Sequence, residues 1–118
     1  MKVRTIYATV REAQLRAIAT VHAGLSSQEV DRVARDYIAS AGFGENFGHG
    51  LGHGVGLAVH EKPGFGKTNS MVLEENMVVT IEPGIYLAGW GGVRLENMVR
   101  VTGDGCEVLN RDDSFYSF

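Results

Sequence analysis

The segment Gly48-His49-Gly50-Leu51-Gly52-His53-Gly54-Val55-Gly56-Leu57-Ala58-Val59-His60-Glu61 holds three of the chain's four histidines within twelve residues, with glycines between them. Two carboxylates follow on short motifs: Glu82 in Thr80-Ile81-Glu82-Pro83-Gly84, and Glu96 in Gly92-Val93-Arg94-Leu95-Glu96-Asn97. A carboxylate-rich donor set with an imidazole suits hard or borderline divalent ions such as Mn, Co, Fe or Zn. Two such ions about 3.5–4 Å apart polarise a carbonyl and deprotonate a bridging water. A nearby histidine can then donate to the tetrahedral intermediate. The chemistry these residue types support is hydrolysis at a metal centre. Taken singly, each histidine is more readily a core or surface residue than a site residue. Glu82 and Glu96 could likewise be solvated strand carboxylates, one of them paired with Arg94. The clustering amid glycines is what favours a site.

Gly48, Gly50, Gly52 and Gly54 argue against a helix around His49 and His53, since each interior glycine costs about 1 kcal/mol against alanine. In an extended segment positions 49 and 53 share parity and are expected to face the same way. The glycines let a substrate or another side chain come close to the backbone.

These groups must be held by the rest of the chain. Val3, Ile6, Tyr7, Val10, Ala13, Ala17, Ile18 and Val21 recur at helical spacing and predict one amphipathic helix, ended by Gly24. Ser26-Ser27-Gln28-Glu29 reads as a capping box, with Ser26 accepting from the Glu29 amide. It opens a second helix with Val30, Val33, Ala34, Tyr37, Ile38 and Ala41 inward and Gly42 at its close. Arg16, Asp31, Arg35 and Asp36 are assigned to charged outer faces. Val55 to His60 alternates as a strand or extended segment, and Met77 to Ile81 forms a strand that ends at Glu82. Pro83-Gly84 is a turn. Ile85–Leu87 and Val93–Val101 read as a hairpin joined by Gly89-Trp90-Gly91-Gly92. On the second arm Arg94, Glu96, Met98 and Arg100 share one face, while Val93, Leu95, Val99 and Val101 form the core face. Gly103-Asp104-Gly105 turns the chain into Cys106–Leu109, and residues 112–118 read as a terminal strand end or a flexible tip.

Helices first and mainly antiparallel strands after them predict an α+β fold. With 118 residues the chain has room for one domain, its helices within about residues 3–41 and its sheet and ligand segments within about 47–110. A net charge of -3 argues against a nucleic-acid binder. No apolar run approaches the roughly 18 residues of a membrane span, and no secretory leader precedes the first helix. The single cysteine, Cys106, excludes an internal disulfide, fits a reducing cytoplasm, and reads as a small apolar strand residue.

Four ordered motifs, Gly48–Gly56, Val59-His60-Glu61, Thr80–Tyr86 and Gly91–Glu96, closely resemble the aminopeptidase P and prolidase family of pita-bread metallopeptidases. The resemblance runs from the first helix to Leu109. It implies a two-metal Xaa-Pro aminopeptidase or dipeptidase that hydrolyses the peptide bond with a metal-bridging water, on substrates with proline in the second position. By that resemblance His53 is the ligating imidazole, Glu82 a second ligand and proton shuttle, and Glu96 a carboxylate bridging the metals. His60 matches a histidine that contacts the substrate or stabilises the intermediate, His49 a histidine in the pocket wall, and Arg94 an arginine that orders the carboxylates or the substrate. Manganese is the expected metal, with cobalt, zinc and iron as alternatives.

Two departures stand out. Asn97 replaces an aspartate often found after the last glutamate. Nothing before residue 49 supplies the two further aspartate ligands of the family. The chain is therefore expected to be the C-terminal half of a catalytic domain, with one metal or none by itself. Half a sheet also exposes an edge, so a homo-oligomer is expected. The alternatives are a truncated, non-catalytic relative that binds a peptide, a partner or a single ion, and a metal-free creatinase-like hydrolase, which the presence of His53, Glu82 and Glu96 together disfavours.

Overall fold

The predicted apolar stripe at the start of the chain folds as α1 (Lys2–Thr20), with Ile6, Val10, Ala13 and Ala17 buried along one side. It is seen in a computed structural model that describes residues 2–56, 60–68 and 70–111. α1 stops at Thr20, short of Gly24. The backbone beyond it is drawn to other partners: Ala23 N–H donates to the Thr102 carbonyl and Gly24 N–H to that of Leu73.

α2 (Ser27–Ser40) has Ser26 as its N-cap. Its hydroxyl accepts from Gln28 N–H at 3.2 Å, not from Glu29, whose carboxylate turns outward to Arg32 at 2.8 Å. The reciprocal capping box is thus replaced by a single cap bond and an (i, i+3) ion pair. Ser26→Ala is expected to cost about 1 kcal/mol, read as a lowered urea midpoint at unchanged m-value. Gly42, at φ +94°, follows the C-cap Ala41 in the left-handed conformation that favours glycine. Ala41 is exposed rather than inward. Asp31 also departs from expectation, being only 1% exposed and facing the interior.

The strands are β1 (Gly52–Gly54), β2 (Glu61–Phe65), β3 (Val78–Ile81), β4 (Gly84–Leu87), β5 (Gly91–Arg94), β6 (Asn97–Val101) and β7 (Cys106–Val108). Five form an antiparallel sheet in the order β2-β1-β3-β6-β7, and β4 with β5 forms a separate hairpin. α1 and α2 pack together and onto this layer, α1 over β3, β4 and β5 and α2 over β2. Val10, Val30, Ile38, Leu51, Val79, Ile81 and Val99 fill the core between them. Among the described residues, no helix is long and apolar enough to cross a membrane.

Two strand expectations change. Val93–Val101 is not one strand: β5 ends at Arg94 and β6 begins at Asn97 in the other sheet. Leu95 N–H donates to the Pro83 carbonyl, which makes Leu95 and Glu96 a corner. Of the strand or extended segment expected over Val55–His60, the strand form is not adopted at the described residues. Val55, Gly56 and His60 lie outside strands, residues 57–59 and the tip at 112–118 lie outside the described residues, and pairing falls on β1 and β2 instead. β2 contains Pro63, which a strand tolerates at the edge position that β2 holds.

β1 lies between β2 and β3 at a spacing that only glycine permits. A Cβ on Gly52 would overlap the Thr80 carbonyl oxygen, and one on Gly54 the Lys62 carbonyl oxygen. Close packing thus explains Gly50, Gly52 and Gly54, while a Cβ on Gly48 would meet nothing within 4 Å.

Candidate metal centre

β1 carries His53 into a cleft of about 460 Å³, with Thr80 and Glu82 at the end of β3 and Arg94, Glu96 and Met98 around the corner. Although the expected strand is broken, its polar parity survives the corner, and Arg94, Glu96 and Met98 all still face this cleft. One ligand atom from each of His53, Glu82 and Glu96 lies within 4.8 Å of the others. His53 and Glu82 are partly buried and Glu96 is exposed.

The hydrogen bonding of His53 defines what such a cluster can hold. Nδ1 lies 2.9 Å from the Gly54 carbonyl oxygen, which can only accept, so Nδ1 carries the hydrogen. In the neutral ring Nε2 is then a bare lone pair, and it faces Glu82 Oε2 at 3.2 Å. Two acceptors in contact require a cation between them or a proton on the ring. A divalent ion of the Mn, Co, Fe or Zn type fits this nitrogen and oxygen donor set.

The supporting contacts are specific. Thr80 Oγ1 donates to Glu82 Oε2 at 2.8 Å and accepts from His53 N–H at 3.0 Å. Arg94 Nε is 3.9 Å from the other oxygen, Oε1. Glu82 N–H donates to the Leu51 carbonyl at 2.7 Å. From α1, buried Gln14 donates to the Ile81 carbonyl at 3.3 Å, and Arg11 bridges Gln14 and Asn97. Asn97, next to Glu96 in sequence, is thus a buried structural anchor, 3% exposed.

His60 is exposed, with its ring centroid 4.2 Å from that of His53. His49 does not share the cleft. It lines a separate depression with Phe47, Phe65 and Lys67. Its Nδ1 donates to the Gly50 carbonyl at 2.6 Å, so its Nε2 accepts from the Tyr86 hydroxyl at 2.6 Å. Parity failed here because strand geometry starts only at Gly52, and the preceding loop follows α2 instead. Arg35 donates to the Phe47 and His49 carbonyls, both at 2.9 Å, while buried Asp31 holds Arg35 through two bonds and accepts from Leu51 N–H at 3.0 Å. Sequence reasoning missed Asp31, Arg35 and Thr80. The (i, i+4) spacing of the first two, and the shared strand parity of Thr80 with Glu82, were the available signals.

Cys106 takes no part in the site. Its thiol donates to the Ile18 carbonyl at 3.4 Å, and burial pushes its pKa up, away from the reactive thiolate.

The family model described as metallopeptidase family M24 matches residues 1–103. A Xaa-Pro dipeptidase of Lactobacillus helveticus is 49% identical over 112 residues, covering 95% of this chain and 30% of that protein. The structure of the prolidase from Pyrococcus furiosus superposes with a TM-score of 0.93 at 46% identity, over 95% of this chain and 33% of that one. The X-Pro aminopeptidase from Thermotoga maritima superposes with a TM-score of 0.89 at 46% identity, over 94% and 32%. The chain therefore spans about a third of the length of these relatives.

Proposed function

Because the chain belongs to metallopeptidase family M24, we propose that its His53–Glu82–Glu96 cluster holds a divalent cation, manganese foremost, for hydrolysis of peptides of the Xaa-Pro type. The observation that carries this reading is His53 Nε2 set 3.2 Å from a Glu82 carboxylate oxygen, with Glu96 closing the group. The substrate class rests on the relatives, which are named Xaa-Pro dipeptidase, prolidase and X-Pro aminopeptidase. When bound, the metal supplies Lewis acidity and a water of lowered pKa.

The chain's own residues do the rest. Arg94, 3.9 Å from Glu82 Oε1, is placed to order that carboxylate. His60 is exposed beside His53, which suits it to contact the substrate or donate a hydrogen bond to the oxygen that gains charge. Arg94 also lines the cleft and can order a substrate carboxylate. We assign His49 to shaping the adjoining wall through Tyr86.

Residues 1–118 supply, on this proposal, one half of a shared catalytic site whose remaining carboxylates lie elsewhere in a longer polypeptide or in another chain. A second reading, a non-catalytic relative that binds a single ion or a peptide, is favoured by one observation: the candidate group among the described residues has three members, one imidazole and two carboxylates.

Calorimetric titration with MnCl2 tests the site. The unsubstituted chain is expected to bind, and His53→Ala to lose at least about 100-fold in affinity, since a direct ligand contributes no less than the 10–100-fold of an outer-shell partner. Equal affinity in the two proteins would overturn the assignment. Assay on Ala-Pro with added Mn²⁺ separates the two readings. Metal uptake without turnover in this chain fits both the shared site and the single-ion relative, while joining it to a segment with two further aspartates yields turnover only on the first.

A further inference from the structure

We infer that Thr80 is a positioning residue for the cation, the single hydroxyl that fixes the imidazole-bearing backbone and the carboxylate in one register. The inference rests on the metal-binding reading above and deepens it. Thr80 is 2% exposed, so its hydroxyl is taken from water and committed to protein partners. Its one hydrogen goes to Glu82 Oε2 and one of its lone pairs receives His53 N–H. The same carboxylate oxygen faces His53 Nε2. One small group therefore touches both ligand residues at the edge where they meet.

The bond to Oε2 does more than hold a side chain still. A carboxylate on two rotatable bonds beyond Cβ can present either oxygen to the cleft. Thr80 and Arg94 address different oxygens, Oε2 and Oε1 respectively, and so oppose rotation of the group. The second contact, to the amide of His53, ties β1 to β3 at the ligand itself. The regular pairing between these strands is sparse, with Gly54 opposite Val79. Without the hydroxyl, the imidazole and the carboxylate would still be present but free to separate, and a cation that needs both would bind more weakly.

The test is calorimetric titration with MnCl2 of the unsubstituted chain, Thr80→Val and Thr80→Ser, with the thermal midpoint of each recorded. Valine keeps the shape and removes the hydroxyl; serine keeps the hydroxyl and removes the methyl. Thr80→Val is expected to lose about 10–100-fold in affinity and Thr80→Ser to stay within about threefold, a split that a purely structural role would not produce. If Thr80→Val does not fold, Thr80→Cys takes its place; its weak S–H donor predicts a loss on the same scale. Affinity of the valine or cysteine variant within threefold of the unsubstituted chain overturns the inference, as does an equal loss in Thr80→Ser. If the unsubstituted chain takes up no Mn²⁺, the metal reading itself fails and this inference goes with it.

Discussion

Gly52→Ala is expected to destabilise the fold by about 3 kcal/mol or more and to abolish Mn²⁺ binding. The added Cβ would overlap the Thr80 carbonyl oxygen and approach its carbonyl carbon and hydroxyl as well. Most of those atoms are backbone in the middle of a sheet, so nothing flexible can yield. The strands must separate, and separating β1 from β3 parts His53 from Thr80 and Glu82. Against a total of about 5–15 kcal/mol for a typical domain, such a loss is severe. Gly48→Ala is the matched control, because a Cβ there meets nothing within 4 Å. It is expected to change stability by less than about 0.5 kcal/mol. Urea unfolding of both variants reads the difference. Similar midpoints would mean that β1 is not held as tightly between its neighbours as the backbone indicates.

Asp31→Ala is the second large effect, expected at about 3–5 kcal/mol. The carboxylate's side chain is 2% exposed and that of Arg35 is 15% exposed, so removing the acid strands a guanidinium in a mostly dry setting. It also deprives the Leu51 amide of its acceptor. Asp31→Asn separates the two losses. Its amide oxygen can still accept from Leu51 N–H, so it should recover part of the deficit while still leaving Arg35 without a counter-charge. Thermal unfolding of the pair checks this, and equal midpoints for the alanine and asparagine variants would assign the whole effect to the ion pair.

Asp31 also shows how legible the fold was. The helices could be read because their apolar periodicity is local, and Ser26 could be read as a cap for the same reason. An aspartate between apolar positions looks like an outward charge when only its own helix is considered. The Leu51 amide that donates to it, and the Phe47 and His49 carbonyls that accept from its partner Arg35, belong to a loop whose path no local pattern encodes. Strand β2 was hidden by Pro63, since the sequence does not reveal that this segment will occupy a sheet edge. In the cleft, Glu82, Arg94 and Glu96 were found by motif and by alternating parity. That parity outlasted the break at Leu95 because the corner preserved the direction of the side chains. The relation between His49 and His53 was not legible, since parity has meaning only within a strand and β1 begins between them.

The hairpin of β4 and β5 leaves the main sheet just after Glu82 and returns just before Glu96, and the Leu95–Pro83 bond clasps its base. Its far end, Ala88-Gly89-Trp90, is exposed. Ile85 anchors the arm in the core, so its outer end is the variable part between two fixed posts. Evolution can lengthen or reshape its outer end, and with it whatever the protein meets there, while the spacing of the posts and the cation pocket between them stays as it is.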